Sequence, residues 1–188
     1  MEQKFTLSIF TENQIGLLHR ITTIFTRRHI SIVSLTTSET EVKGIYRFII
    51  VINSTENEIH KLRKQLDKIV GVIKAFALTE SEVVHQELAL YKVSTASLVN
   101  GTLEKIIRDH HARVLTVEPE YMMIETTGHP YETEKLLKVL EPFGVQGFSR
   151  SGTIAISRKP LNLVAYLDGR LKKGSLYNIE PEPGKEKL

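Results

Sequence analysis

The stretch TENQIGLLHRITTIFTRR, Thr11 to Arg28, decides how the rest of the chain is read. It runs as the end of a strand, a short polar loop, then an amphipathic helix. Leu17, Leu18, Ile21, Ile24 and Phe25 fall on one helical face, with His19, Arg20, Thr22, Thr23 and Arg27 on the other. Glu12, Asn13 and Gln14 fill the loop before Gly16, where the missing Cβ permits a positive φ or a close approach to a ligand. The N–H groups of a first helical turn lack intrahelical acceptors and can receive a carboxylate. By itself the stretch reads first as an ordinary strand-to-helix turn and second as a seat for a free amino acid.

On the N-terminal side, Phe5, Leu7 and Ile9 alternate with Thr6 and Ser8, a half-buried strand over residues 4–10. On the C-terminal side, Ile30–Thr37 is β-branched and reads as a second strand, and Ile45–Ile52 as a third. The third has Tyr46, Phe48, Ile50 and Ile52 on one side and Ile45, Ile49 and Val51 with Arg47 on the other. Both sides are apolar, so the second needs a cover, and another subunit is the expected one. Glu56–Val70 reads as a helix with Ile59, Leu62, Leu66, Ile69 and Val70 inward, ended by Gly71, and Val72–Leu78 as a fourth strand. The order is βαββαβ over about 80 residues, a ferredoxin-like arrangement.

Thr79–Gln86 is short and mostly polar, a boundary too tight for a loose tether, so two packed halves are expected. The second half repeats the order. Leu88–Val93 is a strand and Leu98–His110 a helix with Val99, Leu103, Ile106 and Ile107 on one face. Arg113–Val117 and Tyr121–Thr127 are strands joined at Pro119-Glu120, and Tyr131–Leu140 is a helix opened by Pro130. Val145–Ser149 and Thr153–Ser157 are strands on either side of a turn at Arg150-Ser151-Gly152. The class is therefore α+β, two tandem ferredoxin-like domains over residues 1–80 and 81–160. Residues 161–188 follow as a short helix, from Leu161, Leu163, Leu167 and Leu171, and a proline- and charge-rich disordered end.

Composition narrows the function classes. Hydrophobic residues at 41% and charged residues at 25% fit an ordinary soluble globular chain. With no cysteine, disulfides, thiolate catalysis and cysteine-based zinc sites are out. No basic-then-apolar leader opens the chain and no apolar run reaches the ~20 residues that span a bilayer, so a cytoplasmic protein without a membrane partner is expected. The pI near 9.0 invites a nucleic-acid reading, yet residues 158–188 hold seven Lys/Arg and four Asp/Glu, which accounts for the whole net charge of +3. The body is neutral, without the basic face that a nucleic-acid partner needs.

Catalytic signatures are missing. There is no phosphate loop and no serine elbow. His110-His111 are adjacent on a helix end, where neighbouring side chains diverge and chelate poorly, so no metal is expected. His129 before Pro130 reads as a turn or cap residue, and no carboxylate pair is marked out by spacing as acid and base. This favours a sensor or binding module.

The Asn-bearing loop, Gly16, the helix and the βαββαβ order resemble the ACT domain, a small-ligand sensor of amino-acid metabolism. Read together, TENQIGLLHRITTIFTRRHISIVSL in the first half, with ELALYKV, ARVLTVEPEYMMIETTGHPYETEKLL and RSGTIAISR in the second, resemble the small regulatory subunits of acetolactate (acetohydroxyacid) synthase. The resemblance runs from about Lys4 to Arg158. It implies a subunit with no catalytic site or cofactor of its own; thiamine diphosphate, Mg and FAD belong to the large catalytic subunit that it binds and activates. It further implies a homodimer through the ACT domains and feedback inhibition by valine or another branched-chain amino acid held at the dimer interface. Carried over by position, Asn13 holds the effector's polar end, Gly16 admits its backbone, and Leu17 and Leu18 supply N–H groups. Ser31 stands where many members have a second asparagine, and Ile32 walls the side-chain pocket. The alternative is an ACT-type sensor acting on a different client enzyme. An RNA-binding ferredoxin-like module, suggested by Tyr46 and Phe48, and a metal-responsive regulator, suggested by the histidines, are weaker readings.

Overall fold

A computed structural model describes residues 2–96 and 101–161. The first half is a four-stranded antiparallel sheet with two helices on one face. Its elements are β1 (Gln3–Glu12), α1 (Leu17–Arg27), β2 (Ile32–Glu39), β3 (Ile45–Ser54), α2 (Glu56–Leu66) and β4 (Val72–Thr79), with strand order β2-β3-β1-β4. The apolar alternation in β1 sets the register: Phe5, Leu7 and Ile9 lie opposite Ile52, Ile50 and Phe48 of β3. All six are buried, with Leu17, Ile21 and Phe25 of α1 and Ile59, Leu62 and Leu66 of α2 closing over them. Each such side chain contributes about 1.5–3 kcal/mol. The α2 helix starts where Thr55 and Glu58 cap each other's backbone N–H groups.

The second half repeats the plan with β5 (Val83–Ser94), α3 (Thr102–Asp109), β6 (Arg113–Val117), β7 (Tyr121–Gly128), α4 (Pro130–Leu140) and β8 (Val145–Arg150), in strand order β6-β7-β5-β8. Tyr91, Val93, Leu103, Met122, Ile124, Leu136 and Leu140 form its core. The Tyr91 hydroxyl, at a buried position, donates to the Thr133 carbonyl at 2.7 Å. Leu98 and Val99, the expected start of α3, and the expected helix and tail beyond Leu161 lie outside the described residues. No helix among the described residues is long and apolar enough to cross a membrane.

Four expectations about the fold change. The second helix stops at Leu66, and Val70, expected inward, is exposed. The boundary at Thr79–Gln86 is mostly structured: Glu80–Glu82 forms one 3-10 turn and β5 begins at Val83. The turn at Arg150-Ser151-Gly152 reverses nothing. β8 pairs with the second half of β5, and β9 (Ile154–Ser157) continues in the same direction along its first half, so the three residues are a kink in one interrupted strand. Finally, the second face of the first sheet is covered by the same chain rather than by another subunit. Thr6, Ser8, Phe10, Ile45, Ile49 and Val51 are all buried there. Thr153 N–H donates to Ser34 Oγ at 2.8 Å, and the Thr36 hydroxyl donates to the Thr153 carbonyl at 2.8 Å. Leu161 packs on Phe10, Ile45 and Ile73.

Gly152, at φ 78°, is where the kink meets β2; a Cβ there would lie 3.0 Å from both Ser34 Oγ and Thr36 Cγ2. On the β5–β9 ribbon, Val83 and Ala155 face inward, while Val84, Ile154 and Ile156 face out. His85 sits under the ribbon, with its side chain 11% exposed and its ring 4.7 Å from that of His129. Burial and the neighbouring His129 push its pKa below the ordinary 6.5.

Two outcomes are expected. Tyr91→Phe leaves the Thr133 carbonyl without its buried donor and lowers the free energy of unfolding in urea by about 1–3 kcal/mol. His85 is held neutral in the fold, so its contribution is complete above its unfolded pKa and is lost as pH falls through the depressed folded value. Melting temperature therefore declines from about pH 6.5 downward, and His85→Gln flattens that decline before the carboxylates titrate.

Candidate functional site

The loop between β1 and α1 is braced from behind. Glu12 N–H donates to the Gly71 carbonyl at 2.8 Å and Asn13 N–H to the Gly44 carbonyl at 3.0 Å, tying the loop to both neighbouring connections. Gln14 is the strut: its Nε2 donates to Glu12 at 2.7 Å, and its Oε1 accepts from Arg20 at 3.1 Å. Arg20 also donates to the Val70 carbonyl at 2.9 Å. Gly71 leaves room for this strut, because a Cβ there would meet Gln14 Oε1 at 2.9 Å.

The front of the loop is open. Asn13 is exposed, and its side-chain amide makes no hydrogen bond among the described residues. Gly16 takes the left-handed conformation at φ 78° and starts the helix without a side-chain cap, and the first turn of α1 holds no acidic residue. The Leu17 N–H donates to the Gln14 carbonyl at 3.2 Å and its side chain is buried, so this residue holds the corner from inside. The N–H groups of Leu18 and His19 make no hydrogen bond among the described residues and are the open donors of this turn. Leu18, expected on the buried stripe, is 44% exposed. Ile15 is fully exposed at the apex, a residue that the helical pattern did not single out. Its one sequence signal is an aliphatic residue beside a glycine, outside the helix's own periodicity.

The other two predicted residues lie elsewhere. Ser31 is exposed and Ile32, half-buried, opens β2. Ile32 pairs with Ile52, which pairs in turn with Phe5 near the start of β1. Glu39, at the far end of β2, pairs with Tyr46, beside the end of β1 that feeds the loop. Asn13–Leu18 and Ser31–Ile32 are therefore at opposite ends of one sheet, about 20 Å apart for seven strand steps.

A polar cluster between the two sheets was not visible in the sequence. Glu87 of β5, a buried carboxylate, accepts from the Thr133 hydroxyl and lies 3.6 Å from the Arg150 guanidinium. Nothing in their spacing, 46 residues from Glu87 to Thr133 and 63 to Arg150, announces the contact. Among the described residues no group of three or more His, Asp or Glu is placed to hold a metal ion, and His110 and His111 join no such group.

Comparison with known proteins agrees with both halves of the chain. Residues 7–74 match the family described as AHAS small subunit-like ACT domain, and residues 86–159 the family described as small subunit of acetolactate synthase. The acetolactate synthase small subunit of Mycolicibacterium smegmatis is 36% identical over 160 residues, 85% of this chain and 94% of that protein. That of Bacillus subtilis is 35% identical over 159 residues, covering 84% and 91%. The crystal structure of the small subunit from Thermotoga maritima superposes with a TM-score of 0.77 at 25% identity, over 85% of this chain and 99% of that one. The chain belongs to the family of acetolactate synthase small subunits, and is a regulatory rather than a catalytic subunit, built on an ACT domain.

Proposed function

We propose that two copies of this chain pair through their β2 strands and hold a branched-chain amino acid in the two shared sites so formed. The observation that carries this reading is the separation of Asn13–Leu18 from Ser31–Ile32 along β2. Neither cluster closes around a ligand alone. An antiparallel pairing of β2 with its copy across a two-fold axis sets the Ile32 end of one strand beside the Glu39 end of the other. The Asn13 loop of one protomer then faces Ser31 of its partner, twice over. β2 is suited to this: it is an edge strand, eight residues long, with neither proline nor lysine to block pairing.

In such a site the open N–H groups of Leu18 and His19 take the carboxylate, and the Asn13 side chain takes the ammonium or a carboxylate oxygen. Gly16 lets the ligand's main chain approach. Ile15 and Ile32 supply apolar surface for a branched side chain. Ser31 is short and offers one donor, which sets a weaker grip at that corner than an amide gives.

The client is the large catalytic subunit of acetolactate synthase, which carries thiamine diphosphate, Mg and FAD and condenses pyruvate with pyruvate or 2-oxobutyrate in the cytoplasm. The small subunit raises its activity, and the amino acid reverses that gain by favouring one packing of the two protomers. A coupling of about 1–3 kcal/mol is sufficient.

Two experiments test this. Adding the small subunit to its large subunit is expected to raise acetolactate output, and L-valine to lower it again. Asn13→Ala is expected to keep the gain and to raise the valine concentration for half-inhibition about tenfold or more, as for a lost hydrogen bond to a charged ligand. No change in rate on mixing would move the chain to another client enzyme. Thr37→Lys with Ser38→Lys puts lysines on the edge that pairing would cover, and light scattering is expected to show monomers that no longer respond to valine. A dimer that survives both lysines would refute the β2 interface.

A further inference from the structure

Between the two sheets lies a cavity of about 360 Å³, within the size range of small-molecule sites. Its walls differ in kind. One, from the first sheet, carries the aliphatic side chains of Val33 and Val51 beside the hydroxyls of Thr6 and Ser34. The other is charged, formed by His85, Glu87 and Arg150 of the second half with Lys4 from the start of β1 and Glu80 from the turn between the halves. None of these residues belongs to the loop site at Asn13.

The charged wall is unfinished. Glu87 is 4% exposed, yet it accepts from one hydroxyl, that of Thr133, and its ion pair with Arg150 is held at 3.6 Å. A closed guanidinium–carboxylate pair sits nearer 2.7–2.9 Å, and a carboxylate offers about four acceptor positions. A buried carboxylate with spare acceptor capacity is costly unless something further donates to it. Arg150 also lies over the Phe148 ring, 5.5 Å from its centroid. The wall thus presents a negative and a positive group a short distance apart, facing a strip of aliphatic surface.

We propose that this cleft is a second ligand site, and that its ligand is a small aliphatic α-amino acid. The ammonium donates to Glu87, the carboxylate bridges Arg150 and Lys4, and the side chain lies on Val33 and Val51. A plain anion leaves Glu87 unmet, and a plain amine leaves Arg150 unmet; a zwitterion meets both. The cleft also abuts the two hydrogen bonds that join Thr153 to Ser34 and Thr36. A ligand there reaches the inner side of β2, opposite the edge assigned above to the protomer interface. The site itself does not depend on that assignment.

The test is calorimetric titration of the full chain with L-valine, L-leucine and L-isoleucine, and with isovalerate and isobutylamine, which carry one charge each. In the Asn13→Ala chain one amino acid per chain is expected to bind still. Glu87→Gln and Lys4→Met, made in that background, are each expected to weaken it at least tenfold, and the single-charge probes to bind at least tenfold more weakly than the amino acids. Lys4 is exposed, so Lys4→Met reports on the site even if Glu87→Gln fails to fold. Absence of binding in Asn13→Ala, or binding there that Lys4→Met leaves unchanged, overturns the proposal. Binding unaffected by Asn13→Ala and removed by Lys4→Met upholds the cleft site and refutes the loop site instead.

Discussion

Two hydrogen bonds from one residue join the halves of this molecule: Thr153 donates its N–H to Ser34 Oγ and accepts the Thr36 hydroxyl at its carbonyl. Each contributes about 1 kcal/mol, small beside the apolar burial around it. Their importance is geometric. They set the kink between β8 and β9 against alternate residues of β2, and Gly152 allows the approach because no Cβ stands in the way. With that contact made, the β5–β9 ribbon lies over the second face of the first sheet. The polar residues of that face, Thr6 and Ser8, and the apolar ones, Phe10, Ile49 and Val51, then leave water together.

The same contact gives β2 an unusual position. One face packs on the helices through Ile32 and Leu35, the other is pinned by Thr153, and one side is hydrogen-bonded to β3. Among the described residues only its outer edge is open. A strand so held cannot bend independently of the kink and the cleft beneath it. This is a physical basis for a regulatory subunit without catalytic groups. Such a chain needs a stiff element with surfaces in two places, not an acid and a base.

Much of this was legible locally. The alternation in β1, the 3.6-residue spacing in α1 and α2 and the proline at the start of α4 named the elements and their order, because each is written into neighbouring residues. The bend at Asn13–Gly16 between β1 and α1 was legible for the same reason. Leu18 was misplaced because two leucines sit side by side at the helix start, and a helix can turn only one of them fully inward; Leu17 occupies that place. Gln14 appeared to be a loop residue like its neighbours, and its work as a strut depends on Arg20, Val70 and Gly71, which the fold alone brings beside it.

The sequence by itself determined two βαββαβ units, the corner at Asn13–Leu18 where a strand turns into a helix, and the family to which the chain belongs, because periodicity, turn chemistry and motif order are properties of contiguous residues. The tertiary structure alone decided what covers the second face of the first sheet, that the corner and Ser31 lie at opposite ends of β2, and that Glu87, Thr133 and Arg150 meet on one wall of a cleft. Those facts depend on strand order and on how one sheet is laid over the other. Such contacts are made by residues dozens of positions apart, and no local pattern records them.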